Sequence, residues 1–135
     1  MKTKFIKMTS TKIAFLLILG FFAIVFVQSG LDKVFDKKGN MTFLKKLLGD
    51  FFHKNLITVA FVSVTILELA SGFLCTAGIF EFLFQDSSFL GLIGLIVGSI
   101  ALLILLFGQR VSKNYEGAKT LAIYFILSIM GVLLS

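Results

Sequence analysis

The sequence predicts an all-α protein, a four-helix transmembrane bundle with an amphipathic interfacial helix between spans 1 and 2. Three observations support that fold class. Of 135 residues, 58% are hydrophobic and only 15% charged, with 17 Phe and neither Pro nor Trp. Mean hydropathy is +1.03, and a water-soluble domain of this size has too little interior to hide so much apolar surface. The apolar residues also gather into four long runs separated by polar, mostly basic connections. Such runs suit a bilayer about 30 Å thick, and lipid leaves a bare backbone no partner, so each run is helix. They lack the alternation that a membrane barrel would show.

The chain reads as a single membrane domain over 1–135, with spans at about 13–33, 56–80, 89–108 and 118–134. "MKTKFIKMTSTK" before the first run would suit a signal peptide. The apolar core is at the long end for one, however, and no small-x-small cleavage site follows, so the segment is read as retained. The span closes on "FVQSGLDKVF", Phe26 to Phe35, where Gln28 and Ser29 are expected to turn inward. Lys33 is expected at the membrane surface, snorkelling to headgroups or pairing with Asp32 or Asp36.

In "NMTFLKKLLGDFFHKNL" the apolar residues are Phe43, Leu44, Leu47, Leu48, Phe51 and Phe52. Lys45, Lys46, Asp50, His53 and Lys54 take the other side, a helical repeat mildly interrupted by Gly49. A helix over about 41–54 is expected in the headgroup plane, phenylalanines down and lysines up. It would serve as a membrane-surface cover or, alternatively, as a docking helix for a partner, through Lys45, Lys46, Phe51 and Phe52.

The second span, "LITVAFVSVTILELASGFLCTAGIF", carries Glu68 near its middle. A carboxylate at that depth is costly and should face other helices. Helical spacing puts Thr65, Ser71, Gly72 and Cys75 on or beside its face. Lys33 is not expected to reach it unless the first helix is displaced deeply, because Glu68 lies about 18 Å down the second span at 1.5 Å per residue. Two readings stay open for Glu68: a proton carrier or ligand for a quinone ring, and a hydrogen-bonding staple between helices.

The third span contains "GLIGLIVGS", in which Gly91, Gly94 and Gly98 offer a close-packing surface. Dimerisation and packing inside one bundle explain it equally. In the connection "GQRVSKNYEGAKT", Tyr115 is expected as an interfacial anchor. Arg110 is expected in a plain surface role, with an anionic headgroup or Glu116 as the alternatives, and it joins the candidate docking residues. Orientation stays open. Lys2, Lys4, Lys7 and Lys12 lie on the side of the termini, while the first and third connections put the other basic residues on the opposite side.

Several classes are excluded. One cysteine, Cys75, forms no internal disulfide, and one histidine, His53, makes no histidine cluster for a metal. The net charge of +6 flanks apolar runs, where membrane proteins place lysine, so nucleic acid is not a partner. No recognisable catalytic motif is present, and no cofactor signature is evident.

"SGLDK", Ser29 to Lys33, resembles the small-Gly-x-x-Lys signature of the DoxX family. "ELASGFLCTAG", Glu68 to Gly78, resembles that family's pattern of Glu, then Gly, then Leu and Gly. Gly30, Lys33, Glu68, Gly72 and Gly78 occupy the matching positions. The resemblance implies a small four-helix protein of the bacterial inner membrane, in a family linked to membrane redox systems. The lysine-rich first connection is longer and more basic than that pattern.

The leading expectation is therefore an accessory subunit of a larger membrane assembly, in contact with lipid and with other membrane proteins of the complex. The alternative is a membrane oxidoreductase component that binds quinone or carries protons through Glu68. A transporter is the weaker reading, since four short spans enclose only a narrow path.

Overall fold

The computed structural model describes residues 9–135 and contains five helices. Helix α1 is Ser10–Phe35, α2 Lys37–Leu48, α3 Lys54–Gln85, α4 Phe89–Val111 and α5 Tyr115–Leu134. Helices α1, α3, α4 and α5 are each long and apolar enough to cross a membrane. Of the N-terminal lysines weighed for orientation, Lys2, Lys4 and Lys7 lie outside the described residues. The helices run past the expected spans, because side chains at their ends cap the backbone. Thr9 accepts from the Lys12 N–H, His53 from that of Asn55 and Asn114 from that of Gly117.

Helix α3 packs most extensively against α4 and α1, and α5 lies against α4 and α1. The core centres on α1, whose Phe15, Leu19, Phe22 and Phe26 are almost wholly buried together with Leu95 and Leu102 of α4. Phe22 and Phe26 stack at 5.3 Å, and Phe15 meets Phe82 of α3 at 5.2 Å.

Glycine sets how near the axes come. A Cβ on Gly78 would lie 2.5 Å from the backbone nitrogen of Gly91, so α3 and α4 touch there backbone to backbone. Farther along, Gly94 takes Cys75 and Gly98 takes Phe26 and Ser71. The glycine surface of α4 is thus occupied by α3 and α1 of the same chain.

Helix α1 is out of step with α3. Gly30 lies against Leu69 and Gly72 against Val27, and at the far end Lys12 pairs with Asp86 at 3.3 Å. This register brings Phe35, the last residue of α1, opposite about residue 64. Roughly 15 Å of α3, from Lys54 onward, therefore stands beyond the end of α1.

Helix α2 occupies that vacated place. It covers 37–48 rather than the expected 41–54, because Asp36 both ends α1 and caps α2, accepting from the Gly39 N–H. The helix ends at Gly49, whose N–H bonds the Lys45 carbonyl at 2.8 Å. Phe51 and Phe52 consequently lie in the turn that follows. Phe52 packs near Phe107 of α4, and Phe51 is half exposed. Lys45 and Lys46 are exposed, while Leu44, Leu47 and Leu48 are partly covered.

Candidate ligand site beside a buried ion pair

The register of α1 against α3 decides the chemistry of the centre. It sets Lys33 opposite about residue 66, within a turn of Glu68. The Lys33 Nζ lies 2.8 Å from Glu68 Oε1, with the two side chains 15% and 3% exposed. The pairing overturns the expectation that Lys33 stays at the surface, out of reach. That expectation took both helices to end at one level; instead α1 ends well inside the reach of α3.

Depth follows from the α3–α4 contacts. Gly78 meets Gly91, Cys75 meets Gly94 and Ser71 meets Gly98, so Glu68 stands opposite about Ala101, close to the midpoint of the 23-residue α4. The ammonium also donates to Ser29 Oγ at 2.8 Å. Its approach to Glu68 Oε1 is close yet off hydrogen-bonding direction, since that oxygen has no directed hydrogen bond. The contact is an ion pair held mainly by charge, in surroundings where little water screens it.

The other residues predicted to share the Glu68 face are buried, but they serve the backbone. Thr65 donates to the Phe61 carbonyl at 2.7 Å, and Ser71 donates across to the Gly94 carbonyl at 2.6 Å. Gly72 and Gly78 are contact points for α1 and α4. Gln28 departs from expectation. Gly30 points at Leu69, and a residue two positions earlier lies about 200° around the helix. Gln28 is therefore exposed on the outer side of α1. Arg110 sits 4.8 Å over the Tyr115 ring, a cation–π contact rather than a pair with Glu116.

Next to Lys33 lies a cavity of about 340 Å³ between α2, α3 and α4. Its walls include Leu44, Leu47 and Leu48 of α2, Ile57, Phe61 and Val64 of α3, and Leu105 of α4. Phe52 lines it as well. Polar groups enter at three points: Lys33, Asn40 and Gln109. The Asn40 amide donates to Asp32 Oδ2 and to the Asp36 carbonyl, which anchors the start of α2 to the end of α1. Gln109 Oε1 is buried and has no hydrogen-bond partner. An acceptor in that condition costs free energy until something donates to it.

Chemically the site offers an ammonium, an amide and aromatic and aliphatic walls. A ligand with an apolar body and one or two oxygens fits that set. Among the described residues, no group of three or more His, Cys, Asp or Glu stands together as a metal would require.

Sequence reasoning missed three residues here. Asn40 and Gln109 enter the cavity only because α2 folds back over α3 and α4. Glu81 accepts from the Leu90 N–H at 2.9 Å and so caps α4, where Ser88 makes no side-chain cap. A weak signal existed for Glu81: a carboxylate just before a connection too short to shield an open helix start. Compared with known proteins, the chain matches no family model, no curated protein and no solved structure.

Proposed function

We propose that this chain is a DoxX-like, multi-pass protein of the bacterial inner membrane, a four-helix bundle whose α2 lies near the headgroups. It acts as an accessory subunit of a membrane redox assembly and holds a quinone-class ring in the cavity beside Lys33. The observation that carries the reading is the convergence of a buried ion pair and an apolar cavity on one lysine. The "SGLDK" and "ELASGFLCTAG" stretches add the redox context by resemblance.

The residues suit such a ring. Lys33 can donate to a ring carbonyl while Glu68 holds the ammonium in place. The Gln109 side chain also lines the cavity, with its Oε1 against Gly117 of α5. Phe52 and Phe61 offer faces for stacking. A volume of about 340 Å³ lies at the small end of ligand pockets, about 300–1,000 Å³. It admits a ring with short substituents and leaves a long tail outside. The quinone supplies the electron chemistry; this chain binds and orients it.

Purification from native membranes in mild detergent tests both parts. Other integral proteins should co-purify, and solvent extraction should release quinone. A Leu47→Trp variant that fills the cavity should lose the quinone while remaining inserted. A chain that purifies alone would overturn the accessory role, and a complex with quinone unaffected by Leu47→Trp would overturn the site.

A further inference from the structure

We propose that the outward stripe of α1 is a self-association face, on which two copies of this chain meet with Gly20 against Gly20 and Gln28 against Gln28. Two independent observations lead there. The first is Gly20. Of the 12 glycines, only Gly20 has no atom within 4 Å of where a Cβ would stand. Glycine is a poor helix former, and the other glycines of the long helices each admit a neighbouring side chain or backbone. Gly20 admits nothing from its own chain.

The second is Gln28. It is exposed on α1, and no side-chain hydrogen bond among the described residues involves it; the hydroxyl of adjacent Ser29 is taken by Lys33. Val27 lies against Gly72, and Ser71 against Gly98, so Gln28 stands at the depth of the middle of α4. An amide facing hydrocarbon at that level has no water to bond. It seeks another helix, and interhelical amide bonds are a recurrent glue between membrane helices.

Both residues lie on one line. Leu17, Gly20, Ile24, Gln28, Leu31 and Phe35 follow spacings of three and four, a single face of a straight helix. The apolar members are outward: Leu17 is 69% exposed and Ile24 70%. The occupant is a second copy because of depth and chemistry together. Copies inserted the same way present Gln28 at the same level, and a two-fold axis along the membrane normal sets residue against like residue. An amide carries both donor and acceptor, so Gln28 satisfies itself reciprocally. Gly20, about 12 Å along the helix, lets the two backbones close up without a Cβ between them.

The test is cysteine cross-linking in native membranes in a Cys75→Ala background. Single cysteines at positions 17, 24 and 31 should give disulfide-linked dimers, whereas one at Phe73, exposed on α3, should not. Independently, in the wild-type chain reconstituted into phosphatidylcholine vesicles, energy transfer between labelled copies should report the dimer. Gln28→Leu should raise its dissociation constant roughly three- to thirty-fold, with Gln28→Asn recovering part of the loss. Gly20→Leu should act in the same direction. Cross-links equally strong at position 73, cross-links only to a different protein, or energy transfer unchanged in both variants would each overturn the proposal.

Discussion

Removing Lys33 should destabilise this protein more than removing its partner. In Lys33→Met, Glu68 keeps its place at 3% side-chain exposure and loses the cation paired with it. Breaking a buried pair in this way costs about 3–5 kcal/mol, because an uncompensated charge stays behind. In Glu68→Gln the stranded group is Lys33, which retains its bond to Ser29 Oγ and is 15% exposed towards the cavity. The cost there should be nearer about 1–3 kcal/mol. Replacing both, as Lys33→Met with Glu68→Leu, removes both charges and should return stability to within about 1 kcal/mol of the parent. Three kcal/mol is roughly a hundredfold in the ratio of folded to unfolded chain. The chain carries its own reporter: Cys75 is its single cysteine and is 0% exposed. A fluorogenic thiol reagent should therefore read unfolding in detergent, as a function of temperature or denaturant. A Lys33→Met variant within about 0.5 kcal/mol of the parent, or a double variant that loses as much as the two single ones together, would show that Lys33 does not compensate a buried charge on Glu68.

Two further outcomes follow from helix contacts. Gly78→Ala would set a methyl group 2.5 Å from the Gly91 nitrogen and should cost about 1–3 kcal/mol in the same thiol assay. Gly108→Ala meets only Leu48 Cδ1 at 3.8 Å and should be neutral or stabilising by up to about 1 kcal/mol; equal effects at the two sites would argue against the α3–α4 contact. Glu81→Ala should remove about 1 kcal/mol as the cap of α4 is lost. Amide hydrogen exchange should then quicken at Leu90, whose N–H the carboxylate holds at 2.9 Å, and unchanged exchange would show that the cap is not in use.

The four long helices were legible because they follow from composition: runs of apolar residues with charged connections leave few alternatives to helices in lipid. The helix between the first two was legible in existence and displaced in position. Apolar periodicity drew attention to Phe43 onward, whereas the physical start is set by the Asp36 side chain on the Gly39 N–H. Gly49 was recognised as an interruption and proves to be the end. The buried face of α3 could be read from Glu68 alone, since a carboxylate in an apolar run can point in only one favourable direction.

Its partner could not be read in the same way. A sequence places a residue relative to the end of its own helix, but the level of one helix against another is set by contacts such as Gly30 on Leu69. Gln28 was misdirected for a related reason. Helix α1 is apolar on all sides, so periodicity shows no inner face, and only the packing of Phe15, Leu19, Phe22 and Phe26 shows which side is covered. The cavity was beyond reach altogether, because it exists only where α2 folds into the space that the displaced α1 leaves open.

The depth of Lys33 also bears on how the molecule is made. The ribosome delivers α1 before α3 exists, so the newly inserted first helix has no carboxylate waiting for its ammonium. The contacts that set its level, such as Gly30 on Leu69, are likewise missing until α3 is made. Vertical position here belongs to two helices in contact rather than to any one segment.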